Sequence, residues 1–359
     1  MAAPAAQPPG RAGGRAAGAV RVAFDALGAE AGSDAVIAGV RSAAADGIAV
    51  RVFGPAGPLG DLVADGIELI DTTELIGNDE EPIRAVRSRS DASIVRAAAD
   101  VAEGRSDALA SPGSTGATMA ASLIALKRIR SIQRPALAVR IPAPGRARPL
   151  LMLDAGANSD ARASHLLQFA YLGAAFTAAV LGVPDPRVGL LSVGAEARKG
   201  NALAVAAHEK LAAADGIRFA GNVEGRDLLD PDLEVVVTDG FTGNVVLKTI
   251  EGTALAVAEA VRTAARSNPV AAAGGLLLRP ALGGLRADMD PDTTGGAILL
   301  GLRGVAVVGH GSSGALGIAN QIRLAARAVE ERAVERTEEL IERFGAGRGA
   351  IRDAGRSES

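Results

Sequence analysis

The sequence contains no cysteine and no tryptophan, and aromatic residues make up only 2% of its 359 positions. Without cysteine the chain has no disulfide, no thiolate metal site and no cysteine nucleophile, as is common in proteins of reducing compartments. The scarcity of aromatic rings argues against stacking surfaces for single-stranded nucleic acid. A net charge of −3 argues against an overall basic face. We therefore expect no nucleic-acid partner.

The composition predicts a globular core built from aliphatic residues. Hydrophobic residues make up 48% of the chain and the mean hydropathy is +0.22, which is enough for a sizeable core. Residues 1–19 are rich in Ala, Pro, Gly and Arg without the apolar run of a secretory signal, and residues 346–359 have a similar low-complexity character. We interpret both as disordered tails around a single α/β domain at 20–345.

Short apolar runs followed by a Gly-rich turn and an Ala/Leu-rich helical segment recur along the chain. This alternation predicts a mainly parallel sheet covered by helices. Because parallel strands end at a common edge, the polar residues of the turns are expected to converge on one edge of the sheet. The turns are DALGAE (25–30), SPGSTGA (111–117), LDAGANSD (153–160), SVGAEARKGN (192–201), GNVEGRD (221–227) and GHGSSG (309–314).

A further turn, within VVVTDGFTGNVVLKTIEG at 235–252, joins an apolar strand to a helix through two glycines. Free amides at a helix N-terminus attract anions, and glycines allow an anion to approach the backbone. Lys248 adds a positive charge nearby. The alternative is a tight strand-to-helix connection with Lys248 solvated on the helix surface.

Two apolar segments bear on membranes. Residues 166–184 are nearly long enough to span a bilayer, but the two strands predicted on either side favour a buried core helix. Residues 266–292 contain leucines interspersed with glycines and arginines and form a Leu-rich projecting segment. Exposed leucines with arginines suit an interfacial membrane element, or a helical hairpin packed against a second subunit.

An ordered series of motifs resembles the phosphate acyltransferase family, the acyl-carrier-protein:phosphate transacylases of bacterial phospholipid synthesis. The resemblance extends from about residue 20 to 314 and beyond. Its most specific pieces are RPALA (134–138), LDAGAN (153–158), KGN (199–201), GNVEGRD (221–227), DGFTGNVVLKTIEG (239–252), GGAILLG (295–301) and HGSS (310–313).

The resemblance implies an α/β fold of three layers, α/β/α, with a mainly parallel sheet like that of phosphotransacetylases and isopropylmalate dehydrogenases. It implies transfer of a long-chain acyl group from an acyl carrier protein thioester to inorganic phosphate, without a cofactor or metal. It also implies a cytoplasmic homodimer, peripherally associated with the membrane through about 270–286. The acyl phosphate would pass to a downstream acyl-phosphate glycerol-3-phosphate acyltransferase.

The chain departs from the family pattern at three turns. Ala29 and Glu30 replace a glycine and an aspartate, Ser114 replaces an asparagine, and Arg198 replaces the glycine before KGN.

Candidate site residues follow from the motif turns. Only four lysines occur, and two of them lie in motif turns, which favours a specific role for Lys199 and Lys248. Phosphate must be held in line with the carbonyl, the oxyanion stabilised and the leaving sulfur protonated. The candidate catalytic residues are Lys199, Asn201, Asn244, Lys248 and His310. The candidate phosphate- and substrate-binding residues are Asp25, Gly113, Ser114, Thr115, Gly116, Asp154, Asn158, Gly200, Asn222, Asp239, Gly240, Gly243, Gly311 and Ser312.

Structural roles remain open for several of these residues. Asn201 and Asn244 either donate to the oxyanion or phosphate or cap helices. Asp154 and Asp239 either orient donors or close turns by accepting from local amides. His310 either protonates the leaving thiolate or binds phosphate, or it is structural.

Two other functional classes were considered for the chain. A nicotinamide-dependent dehydrogenase of related fold lacks support, since neither paired metal-binding aspartates nor a dinucleotide motif is found. A non-catalytic membrane scaffold or carrier-protein adaptor would retain the fold while the turns diverge.

Overall fold

The computed structural model describes residues 18–141, 148–230, 232–278 and 291–343. The strands are β1 (Arg21–Asp25), β2 (Ala49–Gly54), β3 (Glu68–Asp71), β4 (Ala108–Ser111), β5 (Ala136–Ile141), β6 (Leu150–Leu153), β7 (Arg187–Leu191), β8 (Arg218–Val223), β9 (Val235–Val237), β10 (Ala297–Leu300) and β11 (Val305–Val308).

The described helices lie between these strands and after the last one. A 3₁₀ turn covers Gly225–Leu229. The helices are α1 (Ser33–Ala45), α2 (Ala56–Leu59), α3 (Asp61–Ala64), α4 (Pro82–Ser88), α5 (Ser93–Ala102), α6 (Thr115–Ala125), α7 (Ala163–Val180), α8 (Ala202–Ala212), α9 (Gly240–Ala265), α10 (Pro269–Leu278), α11 (Pro291–Thr294), α12 (Ala315–Glu330) and α13 (Ala333–Arg343).

The strands form one sheet in the order β3-β2-β1-β4-β11-β10-β5-β6-β9-β7-β8. Seven of the described strand pairs are parallel, and the three antiparallel pairs all involve β10 or β5. The predicted mainly parallel sheet is therefore confirmed. Because β10 runs against β11, β5 runs against β10 and β6 runs against β5, the strands from β6 to β8 run opposite to those from β3 to β11.

This reversal corrects the expectation that the motif turns converge on one edge. β1, β4 and β11 end at what we call the first edge, defined by Asp25, Ser111 and Val308. The other half ends at the second edge, defined by the C-terminal ends of β6, β9, β7 and β8. Ala297 pairs with Val308 at one end of β10, whereas the other end of β10 pairs with the start of β5 beside β6. The turns therefore divide between opposite edges.

Apolar side chains from both faces of the sheet pack under helices, which gives the predicted three layers. One face packs against α1, α7, α8, α12 and α13, and the other packs against α4, α5 and α6. The core is mostly aliphatic, as the composition predicts, and Phe24, Phe169 and Phe176 are its largest fully buried side chains. Each such residue contributes roughly 1.5–3 kcal/mol through burial.

Two long helices differ sharply in burial. In α7, the described helix long and apolar enough to span a membrane, 72% of the apolar window is buried, so the predicted core helix is confirmed. In the 26-residue α9, only Gly240 and Gly243 are buried. The predicted tails lie almost wholly outside the described residues, as does 279–290 of the Leu-rich segment.

Candidate functional site

The turn that opens α9 is closed by Asp239 rather than left free for an anion. One carboxylate oxygen of Asp239 accepts a hydrogen bond from the Thr242 amide at 2.8 Å, and the other accepts from the Thr242 hydroxyl at 2.8 Å. The Gly240 amide donates to the carbonyl of Asn158 at 2.8 Å. Asp239 is thus the helix cap. Its carboxylate already accepts the hydrogen bonds that a bound anion would otherwise accept.

Gly240 and Gly243 allow two backbones to touch. A Cβ at Gly243 would lie 1.9 Å from the carbonyl oxygen of Asp154, and a Cβ at Gly240 would lie 2.7 Å from the carbonyl oxygen of Asn158. Any side chain would force α9 away from the 153–158 turn. Helix-to-turn packing therefore requires both glycines, whether or not an anion binds.

Asp154 organises the 153–158 turn from a fully buried position. One oxygen accepts from the amides of Leu137 (3.0 Å), Gly156 (3.2 Å) and Ala157 (2.9 Å). The other accepts from the amide and the side-chain nitrogen of Asn158, at 2.7 and 2.8 Å. Burial raises the pKa of Asp154 and these hydrogen bonds oppose the rise. Asp154 closes the turn and holds it against β5.

Asn244 and Lys248 lie on the exposed surface of α9 near its start. Asn244 is exposed beside Gly156, whose Cβ position is 3.8 Å from the Asn244 side chain. It does not cap the helix, because Asp239 holds that position. The Lys248 ammonium donates to Glu251 at 2.8 Å, a half-exposed ion pair. Asn244 lies at the second edge with no hydrogen-bond partner among the described residues, whereas Lys248 is paired with Glu251.

Lys199 lies in a turn that is held by its backbone. Its amide donates to the carbonyl of Glu196 at 2.9 Å, and its carbonyl accepts from the Ser192 hydroxyl at 2.9 Å. No hydrogen bond or ion pair engages its exposed ammonium group within the described residues. Gly200 follows with φ of 114°, a conformation that glycine adopts readily. The backbone of the turn is fixed, while the ammonium group of Lys199 stays available to a ligand.

Asn222, buried at the end of β8, braces the same turn. Its side-chain nitrogen donates to the carbonyl of Glu196 at 2.8 Å. Its oxygen therefore faces Nδ1 of His208 at 2.9 Å, so His208 carries a proton on Nδ1 and donates. Asn222 therefore helps to hold the backbone of the turn that carries Lys199.

Asn201 caps α8, the helix that begins after the Lys199 turn. Its side-chain oxygen accepts from the Ala204 amide at 2.9 Å. The capping interpretation is confirmed for Asn201, and its side-chain nitrogen remains a donor. The N-terminus of an 11-residue helix therefore lies beside an unpaired lysine, an arrangement that favours anions.

At the first edge, Asp25 is buried beneath the turns. It accepts from the Ser111 hydroxyl at 2.8 Å, and that hydroxyl accepts from Thr118 and from the Gly113 amide, both at 3.1 Å. Burial raises the pKa of Asp25, and hydrogen bonds including that from Ser111 oppose the rise. The buried Asp25 carboxyl supports the turn through Ser111, and its predicted role in phosphate binding stays a prediction.

The SPGSTG turn at the first edge begins α6. A Cβ at Gly28 would lie 2.2 Å from Cα of Gly113, so these two turns also touch through their backbones. The Ser114 hydroxyl accepts from the Ala117 amide at 3.4 Å and caps the helix that starts at Thr115. Gly116 faces the ring of Pro82.

The HGSS turn lies among carboxylates. Nδ1 of His310 is 2.8 Å from the Ser312 hydroxyl, a bond within the turn. A Cβ at Gly311 would lie 2.7 Å from the Glu30 carboxylate. The amide of Gly314, which precedes α12, donates to Asp292 at 3.0 Å. The N-terminus of α12 is therefore already paired with an anionic side chain.

His310 and the second-edge residues are far apart within one chain. Between β11 and β6 lie three strand spacings, about 14 Å, and the strands end in opposite directions. The predicted residues at the first edge are Asp25, Gly113, Ser114, Thr115, Gly116, His310, Gly311 and Ser312. Those at the second edge are Asp154, Asn158, Lys199, Gly200, Asn201, Asn222, Asp239, Gly240, Gly243, Asn244 and Lys248.

Comparisons with known proteins place this chain in a family. Residues 20–336 match the family described as "Fatty acid synthesis protein". The chain is 42% identical over 327 residues to a phosphate acyltransferase of Geobacillus sp. (strain WCH70), covering 90% of this chain and 99% of the relative. The chain belongs to the phosphate acyltransferase family. A family relative from Enterococcus faecalis is 40% identical over 329 residues, with 90% and 99% coverage.

Solved structures confirm the fold of this phosphate acyltransferase family member. A phosphotransacetylase from Streptococcus pyogenes superimposes with a TM-score of 0.56 at 18% identity, covering 87% of this chain and 94% of that one. A branched-chain phosphotransacylase from Enterococcus faecalis V583 gives 0.57 at 14% identity, covering 86% and 99%. At this identity the likeness shows the fold alone. The curated relatives show that the chain is an acyltransferase of fatty acid synthesis.

Three supporting residues were not predicted. His208 lies seven residues after Asn201, two helical turns along the same face, which is a signal in the sequence. Gln168 and Asp292 reach other segments only through the tertiary fold. Among the described residues, no group of three or more His, Cys, Asp or Glu side chains is placed to hold a metal ion.

Proposed function

We propose that this acyltransferase transfers a long-chain acyl group from an acyl carrier protein thioester to inorganic phosphate. A phosphate oxygen forms a bond to the thioester carbonyl carbon, the carbon–sulfur bond breaks, and the leaving thiolate takes up a proton. The products are acyl phosphate and a phosphopantetheine thiol. The observation that carries this proposal is Lys199, which pairs with no described residue and lies on a fixed turn beside the N-terminus of α8.

The second edge supplies the electrostatic groups that this reaction needs. Lys199 and the first amides of α8 neutralise phosphate as it sheds water. Asn244 follows β9 and Lys199 follows β7, and these strands are neighbours in the sheet. We assign Asn244 as the donor to the developing oxyanion. His310 lies at the opposite edge, so within one chain it does not protonate the thiolate of this site.

The first experiment incubates purified protein with palmitoyl carrier protein and labelled phosphate, without metal or nucleotide. We expect labelled acyl phosphate, because no step above requires either addition. A strict need for a divalent ion or nicotinamide would overturn the proposal. Failure to form product with a correctly folded protein would favour the scaffold alternative.

We further propose that the protein is a cytoplasmic homodimer, peripherally associated with the membrane, and that it hands acyl phosphate to a membrane acyl-phosphate glycerol-3-phosphate acyltransferase. Support comes from the apolar surface of α9 and α10. Leu277 is 83% exposed and Leu276, Leu278 and Val270 are also exposed. Each leucine buried in lipid contributes roughly 1.5–3 kcal/mol.

A matched pair of double variants tests the membrane contact. Replacing Leu277 and Leu278 with Glu should release the protein from anionic vesicles in flotation, because apolar area is lost and charge is repelled. The control replaces the exposed Val63 and Ile83 with Glu. If the leucine variant still floats with vesicles but light scattering shows monomers, the segment is a subunit interface instead.

A further inference from the structure

Five cations at the second edge form a surface that we call the basic patch: Lys127, Arg130, Arg134, Arg162 and Arg303. All five side chains are exposed, and none pairs with a carboxylate in the described part of the chain. The segments that carry them, 126–135, 158–163 and 300–304, contain one carboxylate, Asp160. A net positive surface on a chain of net charge −3 is a local concentration of charge, not a reflection of composition.

The basic patch rests on a rigid base. Ile129 and Ile132 are fully buried, so the 126–135 segment is anchored while its charged residues point outward. The buried side chain of Gln168 accepts from the Gln133 amide at 2.8 Å and donates to the Ser131 carbonyl at 2.9 Å. Such a clamp fixes the charges in position.

Backbone hydrogen bonds join two of the segments that carry the basic patch, 126–135 and 300–304. The amide of Arg303 donates to the carbonyl of Lys127 at 3.0 Å, and the amide of Ile129 donates to the carbonyl of Gly301 at 3.0 Å. The segments therefore hold a constant spacing. The backbone beneath the patch therefore loses little conformational entropy when a partner binds.

The basic patch borders the candidate site. The side-chain nitrogen of Asn158 donates to the carbonyl of Pro135, next to Arg134, at 2.8 Å. His165, at the start of α7, has a pKa lowered by burial and by the charges of Arg134 and Arg162. Both arginines are therefore close to one side chain, on the approach to the turn that contacts Asn244.

We propose that the basic patch docks an acidic surface of the acyl carrier protein, which brings the thioester of its flexible phosphopantetheine arm to the second edge. This inference rests on the proposed function. Complementary charges raise the rate of encounter and fix the register of a complex, and their effect falls with ionic strength. The basic patch then makes the thioester of the carrier protein a better acyl donor than a small thioester that is not attached to a protein.

The test reverses charge at Arg130 and Arg303, which lie outside every turn assigned to chemistry. Turnover is measured with palmitoyl carrier protein and with palmitoyl pantetheine, a small thioester without the protein. We expect the double variant Arg130→Glu, Arg303→Glu to raise KM for the carrier-protein substrate at least tenfold in low salt. KM and kcat for the small thioester should not change, and the salt dependence of the carrier-protein reaction should weaken.

The control reverses Arg87 and Arg218, which are equally exposed and make no ion pair with a described residue but lie away from the second edge. Unchanged KM in this control supports the patch. An equal loss in both double variants, equal losses with both thioesters or no loss at all would overturn the inference. Loss of vesicle flotation with unchanged carrier affinity would overturn it in favour of a lipid contact.

A binding arm separates this inference from the proposed function. Affinity for holo carrier protein is measured by fluorescence anisotropy, without turnover. If neither thioester gives acyl phosphate but charge reversal still weakens carrier binding, the docking surface stands and the reaction is wrong. If acyl phosphate forms and carrier binding is unaffected, the reaction stands and the docking surface is wrong.

Discussion

The first and second edges of the sheet are built from the same kind of strand-to-helix turn but differ in the charged side chains around them. Around the first edge, Asp25, Glu30 and Asp292 place carboxylates against the turns or beneath them. The second edge exposes Lys199 and the basic patch without described carboxylate partners. An anionic nucleophile and an acidic partner are both attracted to the second edge.

The comparison shows that a Gly-rich turn has more than one physical use. Gly28 with Gly113, and Gly243 with Asp154, permit contact between backbones. The Lys199 turn instead combines a left-handed glycine, a braced backbone and a charge that pairs with no described residue. Ligand binding is therefore inferred from free charge and free donors, not from glycine alone.

The largest expected effect separates the two buried aspartates. In Asp154→Asn, the side-chain NH₂ group takes the place of one carboxylate oxygen. At least two of the surrounding hydrogen-bond donors then have no acceptor. We expect a loss of about 2–6 kcal/mol in the free energy of unfolding. Asp25→Asn should cost less, because its oxygen can still accept from Ser111. Urea unfolding of both variants at pH 7 checks this, and equal losses would remove the contrast.

The next effect concerns catalysis at the second edge. Lys199→Ala should lower kcat/KM by about 10²–10³-fold, since one well-placed electrostatic donor contributes about 2.7–4 kcal/mol to the transition state. Lys210→Ala, in the last turn of α8, is the control. Both are measured in the labelled phosphate assay, with folding checked by circular dichroism. Small and equal losses would make Lys199 a structural residue.

A glycine pair in α9 tests the packing explanation. Gly243→Ala should lower the free energy of unfolding by about 1–3 kcal/mol or more, because the new Cβ collides with the Asp154 carbonyl. Gly252→Ala, in open space on the same helix, should raise it by about 0.8–1 kcal/mol. Thermal unfolding of the two variants gives the sign of each change. Stabilisation by both would show that the turn relaxes easily.

The smallest effect is a pH dependence at the first edge. Burial raises the folded-state pKa of Asp25 above the unfolded value of about 3.9, so the folded state binds more protons across that interval. Its contribution to stability therefore falls as pH rises through the interval. Relative to the parent, Asp25→Asn should gain stability between pH 4 and pH 7. A difference that stays constant with pH would contradict the raised pKa.

The local structure was largely predictable from the sequence. Apolar runs such as RVGLL and VAVV are strands, the long apolar segment is the buried α7, and Asn201 caps α8. Each of these features depends on neighbours in the chain, so hydrophobic periodicity and capping chemistry determine it. The motif series also determined the family.

The tertiary structure alone decided which turns share an edge. Strand direction depends on how β10 and β5 insert between the two halves, and that pairing joins residues far apart in the chain. It also decided that Lys248 is paired while Lys199 pairs with no described residue, and that isolated basic residues at 127–134, 162 and 303 form one surface. The sequence determined the residues and their local elements. Which charges pair and which residues touch depends on their distance in space, and the long-range pairing of strands sets that distance.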